Sequence, residues 1–81
     1  MRYLFLVVAP HGDNQEVWQP YWLEADSLLD AQEKSKQIAF SIYEKSRYSL
    51  DRYRFELFKP DSVFPVTYGR DWIEEFLSQK T

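Results

Sequence analysis

The run Tyr3-Leu4-Phe5-Leu6-Val7-Val8-Ala9, closed by Pro10, places the strongest constraint on the fold. In an extended chain successive side chains point to opposite faces. Tyr3, Phe5 and Val7 therefore share one face, and Leu4, Leu6 and Val8 share the other. Both faces are apolar. A strand of this kind sits at the centre of a sheet, or meets a partner on its second face. Membrane-spanning helices need about 18 or more apolar residues, and this run is far shorter. A secretory leader needs a longer apolar segment and a cleavage site, whereas Pro10 follows at once. The expectation is a buried strand in an intracellular, cytoplasmic protein with no membrane association.

Pro10-His11-Gly12-Asp13-Asn14 is a turn cluster, and it predicts a hairpin. From Glu16 to Ala25 the pattern alternates. Val17, Tyr21 and Leu23 fall on one face, and Glu16, Trp18, Trp22 and Glu24 fall on the other. Pro20 cannot donate a ladder hydrogen bond, which predicts an edge or bulged strand. Asp26-Ser27 then opens a helix, with Asp30 three residues beyond Ser27 in a capping-box arrangement. Helical periodicity extends it to about Tyr48, with Leu28, Ala31, Ser35, Ile38, Ala39, Ile42 and Tyr43 on one stripe. Asp30–Lys34 and Glu33–Lys36 lie at ion-pair spacings. Arg52 to Lys59 alternates again, with Tyr53, Phe55 and Leu57 inward and Arg52, Arg54 and Glu56 outward, until Pro60 stops it. A short strand over Val66-Thr67-Tyr68 and a last helix from Trp72 to about Gln79, capped by Asp71, complete the order. The reading is a single α+β domain over residues 1–81. It is a two-layer ββαβ sandwich whose small, antiparallel-rich sheet is packed by one long helix, with a short helix added at the end.

Composition narrows the function. Fifteen of the 81 residues are aromatic, a rich supply for a core of this size. There is no Cys, which excludes disulfides, Cys-based zinc sites and a thiol nucleophile. The net charge of −3 argues against bulk attraction to nucleic acid or anionic lipid. His11, Asp13 and Glu16 cluster at the first turn, but one imidazole is a poor basis for a metal site or a catalytic base. No Gly-x-Ser-x-Gly elbow or Gly-rich phosphate loop occurs, and the adjacent carboxylates Glu74 and Glu75 do not face each other on a helix. No cofactor and no catalytic residue are expected.

Surface binding is the remaining class. Trp18 and Trp22 share a strand face with Glu16 and Glu24, and exposed aromatics are typical binding hot spots. Burial of both, at least in part, beneath the C-terminal helix with its Trp72 and Phe76 is the expected arrangement. Leu29 and Phe40 lie off the main helical stripe, facing the 60–70 loop. Candidate protein-binding residues are Trp18, Trp22, Glu24, Asp26, Asp30, Glu33 and Phe40, the acidic ones suited to a partner's basic groove. The alternative is a nucleic-acid patch from Arg47, Arg52, Arg54, Lys59 and Arg70. Against it, the arginines of the third strand face away from Tyr53 and Phe55, so no mixed aromatic and basic platform is expected there. A homodimer, through the edge strand with Pro20 or through an open apolar sheet face, is the third reading.

Trp22-Leu23-Glu24-Ala25-Asp26-Ser27, followed by Ala31 and an amphipathic helix, resembles small ββαβ proteins of phages and mobile elements, some type I anti-CRISPR proteins among them. The likeness covers roughly residues 3–59 and is one of element order and size. It implies a small inhibitor or adaptor that acts by occluding a partner's surface, and it carries over no functional residue.

Overall fold

The central position of the first strand follows from its sequence. A computed structural model describes residues 1–79, with β1 (Arg2–His11), β2 (Gln15–Glu24), α1 (Leu28–Tyr43), a 3-10 turn (Leu50–Arg52), β3 (Arg54–Phe58) and α2 (Asp71–Ser78). The sheet order is β2-β1-β3, and both pairings are antiparallel. β1 is therefore flanked on both sides, and β2 with its proline lies at an edge. The helices form a second layer on one face of the sheet, completing a two-layer α+β sandwich.

Register assigns the faces. Phe5 pairs with Tyr21 and Leu57, and Val7 pairs with Gln19 and Phe55. These odd positions of β1 point toward the helices. Tyr3, Phe5, Val7, Tyr53, Phe55 and Leu57 are all buried. Their rings form a continuous series: Phe5 stacks with Phe55 at 6.1 Å and Phe55 with Tyr53 at 6.0 Å, while Tyr43 meets Tyr53 edge-on at 5.7 Å. Such pairs add about 0.5–1.5 kcal/mol each beyond the area they bury.

α1 approaches this face through Ala31, Ser35 and Ala39, all completely buried. Small side chains permit the close approach. The Ser35 hydroxyl donates to the Ala31 carbonyl at 2.7 Å, so its burial leaves no polar group unsatisfied. Ser27 is the N-cap, its hydroxyl accepting from the Asp30 amide at 3.1 Å. Asp30 in turn accepts from the Asp26 amide at 3.1 Å. The box thus closes one residue outside its usual position.

α1 ends at Tyr43 rather than near Tyr48. Beyond Glu44 the chain is held by other bonds. Ser46 accepts from the Tyr48 amide and from the Tyr53 hydroxyl. Tyr48 then lies under the β1–β2 turn, where its hydroxyl accepts from the Gly12 amide at 3.1 Å. Arg52 donates to the Gly12 carbonyl at 2.8 Å. Gly12 itself takes φ +74°, the left-handed conformation that the tight three-residue turn requires.

α2 also departs from expectation. Asp71 is its first residue instead of its cap, Arg70 occupies the cap position, and no side chain caps it. The helix lies beside α1 on the same face of the sheet. Ile73 and Leu77 are buried, Phe76 meets Phe40 edge-on at 5.8 Å, and Trp72 meets Phe5 at 6.1 Å. It therefore does not fold over Trp18 and Trp22, and the expected burial of those residues is not found. The short strand expected at 66–68 contracts to one bridge between Leu57 and Thr67.

The tight contact of α1 with the sheet predicts a contrast between neighbouring positions. Ala31→Leu overpacks the interface and should cost about 1–3 kcal/mol in a urea titration. Leu29→Ala, at a position 69% exposed, should change stability by less than about 0.5 kcal/mol.

Candidate functional site: the open face of the sheet

The even positions of β1 form the face that the helices leave open. Register sets each between two neighbours. Leu4 lies between Trp22 and Phe58, Leu6 between Pro20 and Glu56, and Val8 between Trp18 and Arg54. Arg2 with Glu24 closes one end, and Pro10 with Glu16 closes the other. No other element covers this face among the described residues. Trp18 and Trp22 are each 60% exposed, and Leu4, Leu6 and Phe58 are half-buried. Val8 and Pro10 are buried, Val8 lying level with Trp18 and Arg54.

Each exposed indole carries a guanidinium. Arg2 sits 5.0 Å from the Trp22 ring centroid, and Arg54 sits 5.9 Å from that of Trp18. Arg54 also pairs with Glu16 at 3.8 Å, across the width of β1. The cations hold the rings and the carboxylate holds one cation, so part of the aromatic surface is positioned in advance. At the hairpin end the face runs into a depression of about 540 Å³, lined by Asp13, Glu16, Trp18, Asp51, Arg52 and Arg54 among others. The Ser49 hydroxyl, donating to Asp51, holds that carboxyl below its usual 3.8, with Arg70 and Arg52 adding to the effect.

The sheet edges are interrupted by different means. Ala25 and Met1 exchange backbone hydrogen bonds at 2.9 Å, so by alternation the even positions of β2 direct their backbone groups outward. Pro20 is in the middle of that outward row and has no N–H to offer. On the other side, the Leu57 amide donates to the Thr67 carbonyl at 2.9 Å, and its carbonyl accepts from Val66 at 2.8 Å. Pro20 and the Leu57–Thr67 bridge thus interrupt the two edges without closing them.

The sequence-derived candidates divide. Trp18, Trp22 and Glu24 come together on the open face. Asp26, Asp30 and Glu33 stand at the start of α1, away from it. Asp30 is engaged in capping and pairs with Lys34 at 3.3 Å, and Glu33 pairs with Lys36 at 3.5 Å. Phe40 is half-buried against Phe76. Of the basic candidates only Arg54 joins the tryptophans. Arg52 is drawn to the turn and lies over Tyr48 at 4.8 Å. Arg47 is exposed in the connection after α1, Lys59 follows β3, and Arg70 heads α2. Arg52, Arg54 and Arg70 nevertheless gather around Asp51: Arg52 and Arg54 line one depression with it, and Arg54 and Arg70 another. His11 is exposed at the turn, and no group of three or more metal-ligating side chains occurs among the described residues.

Several contributors lay outside the candidates read from sequence. Leu4, Leu6 and Phe58 supply apolar area, and Arg2 supplies a cation. The even-numbered alternation of β1 was the available signal for the first two. Comparison of the chain with protein-family models, with curated proteins and with solved structures finds no match.

The Asp30 box makes stability depend on acid. The Asp26 amide first, and Lys34 second, lower the Asp30 carboxyl below 3.8. A folded-state value below the unfolded one stabilises at pH above 3.8 and is lost as pH falls through the folded value. Urea midpoints should therefore fall as the solution is acidified through this range, and Asp30→Asn should show a flatter acid limb. An unchanged limb in the variant would mean that the box contributes nothing.

Proposed function

We propose that the chain is a non-catalytic protein-binding module that acts through the open face of its sheet. The observation that carries this reading is the pair Trp18 and Trp22, each 60% exposed on an apolar face that no helix covers. A contiguous apolar surface rimmed by charge is the usual anatomy of a docking site, with aromatic anchors contributing most of the affinity. The rim here is Arg2 and Glu24 at one end and Glu16 and Arg54 at the other. In its concrete form the module is a small cytoplasmic inhibitor or adaptor that works by covering a partner's surface.

One observation favours a second reading, in which the face binds single-stranded nucleic acid. Arg54 and Arg2 lie over the two indoles, so aromatic and basic groups do share a face. The charge balance opposes it. Glu16, Glu24 and Glu56 outnumber the two arginines there, and Glu16 already occupies Arg54.

Immobilised chain separates the two. Polypeptide retained from an extract of the native cells in high salt, a second copy of the chain included, should be lost at least about tenfold with Trp18→Ala/Trp22→Ala. Lys59→Ala should retain it. A single-stranded oligonucleotide that quenches tryptophan emission, with steep relief by salt, would establish the second reading instead.

A further inference from the structure

Resting on that reading, we propose that the partner docks by strand addition: a short, basic, extended segment of its polypeptide pairs antiparallel with the outer edge of β2 at residues 16–20 and sends alternate side chains onto the open face. Unpaired N–H and C=O groups along a sheet edge are a template for such pairing. Backbone direction locates them. The doubly bonded pair Met1–Ala25 sets the alternation, so Glu16, Trp18, Pro20, Trp22 and Glu24 turn their backbone groups away from β1. At the Glu24 end this row is engaged by α1, since the Lys34 ammonium donates to the Glu24 carbonyl at 2.6 Å. At the hairpin end it has no partner among the described residues. Glu16 and Trp18 each offer an N–H and a C=O there, and Pro20 offers a C=O alone. Residues 15–18 are all exposed, so neither the edge nor the side chains are covered.

These groups define the length and pattern of the occupant. The free edge is limited by the β1–β2 turn on one side and by the missing Pro20 donor on the other. It is about 13 Å long and takes a segment of about five residues, not a long strand. In antiparallel pairing a residue opposite Glu16 and one opposite Trp18 each exchange two hydrogen bonds, and a residue opposite Pro20 only donates. Directly opposed side chains share a face. The first two residues therefore project onto the open face, beside the Glu16 carboxylate and the Trp18 ring. The residue between them falls beside Val17, which is 38% exposed on the other face.

Charge complementarity makes the segment basic. The depression beside this run is lined by Asp13, Glu16 and Asp51 against Arg52 and Arg54. Both arginines are already engaged: Arg52 donates to the Gly12 carbonyl and lies over Tyr48, and Arg54 lies over Trp18. Arg54 reaches Glu16 from the β1 side at 3.8 Å. A Lys or Arg opposite Glu16 approaches the same carboxylate from the outer side of β2, so it adds an ion pair without displacing one. An apolar or aromatic residue opposite Trp18 lies against the exposed indole and continues the apolar surface outward.

The test pans a displayed library of random hexapeptides against the immobilised chain and measures the selected peptides by fluorescence anisotropy. Enriched sequences should carry Lys or Arg two residues from an apolar or aromatic residue. Methylating one set of alternate peptide nitrogens should weaken binding at least about tenfold, and methylating the other set should leave it within about twofold. Pro20→Thr adds a donor to the outward row without breaking a bond to β1, and it should tighten binding at least about twofold. Glu16→Lys should weaken binding at least about fivefold with unchanged circular dichroism. Equal tolerance of both methylation patterns would overturn strand addition. If such peptides still lose affinity with Trp18→Ala/Trp22→Ala, the docking face stands without it. A chain that doubles its mass in light scattering and excludes the peptide would put a second copy on the edge and overturn the proposal. A library that yields no binder would overturn it too, and the capture experiment above then decides the docking face separately.

Discussion

Antiparallel pairing of β1 on both of its sides is the constraint from which the rest follows. Its register with β2 and β3 makes one row of side chains the floor of the core and the other row the centre of an exposed surface. Tyr3, Phe5 and Val7 are covered by helices, whereas Leu4, Leu6 and Val8 are flanked only by neighbours within the sheet. A one-residue slip of β3 would bring Arg54 and Glu56 into the core, and a slip of β2 would bring in Glu16 and Glu24. Burial of Phe5 and Val7 between Tyr21, Gln19, Leu57 and Phe55 makes either slip prohibitive. The core that stabilises the fold also holds the open face in place.

Much of this was legible in the sequence because it depends on local rules. Period-two alternation marked the inward set Tyr53, Phe55 and Leu57. Period-3.6 spacing marked Ala31, Ser35 and Ala39, and Ser27 marked the start of α1. Pro20 marked an edge. What was not legible required two separated elements to be placed together. The arginines of β3 and the tryptophans of β2 are far apart in the chain, and only their common register on β1 shows that Arg54 and Trp18 share a face. The layer chosen by α2 was hidden for the same reason: its apolar residues fit either side of the sheet, and edge-on contacts with Phe5 and Phe40 decide in favour of α1. The early end of α1 was hidden because Ser46 and Tyr48 are neutral in local propensity. Their bonds to Tyr53 and Gly12, distant in sequence, terminate the helix.

The site candidates followed the same division. Trp18, Trp22 and Glu24 were found because alternation alone puts them on one face. Asp30 and Glu33 were drawn into the list by charge, and the structure accounts for both within α1 as a capping group and ion pairs. Phe40 was an outlier from the helical stripe, and α2 supplies the ring it packs against. Isolated charge and isolated apolarity are thus weak signals, since a fold of this size meets most of them internally.

The exposed face is not an accident of small size. A chain of this length buries little more than about 60% of its unfolded surface, so some apolar residues must remain outside. That requirement alone would scatter them singly. Here they are contiguous: Leu4, Leu6, Trp18, Pro20, Trp22 and Phe58 occupy one side, while the fully buried rings occupy the other. The helical layer could have spent Trp72 and Phe76 on the open side, yet both lie within the inner layer. Two cations then lie over the exposed indoles, which shields part of the apolar area from water without filling the surface. A face that is apolar, backed by the core and partly screened by cations is what the proposed docking role requires.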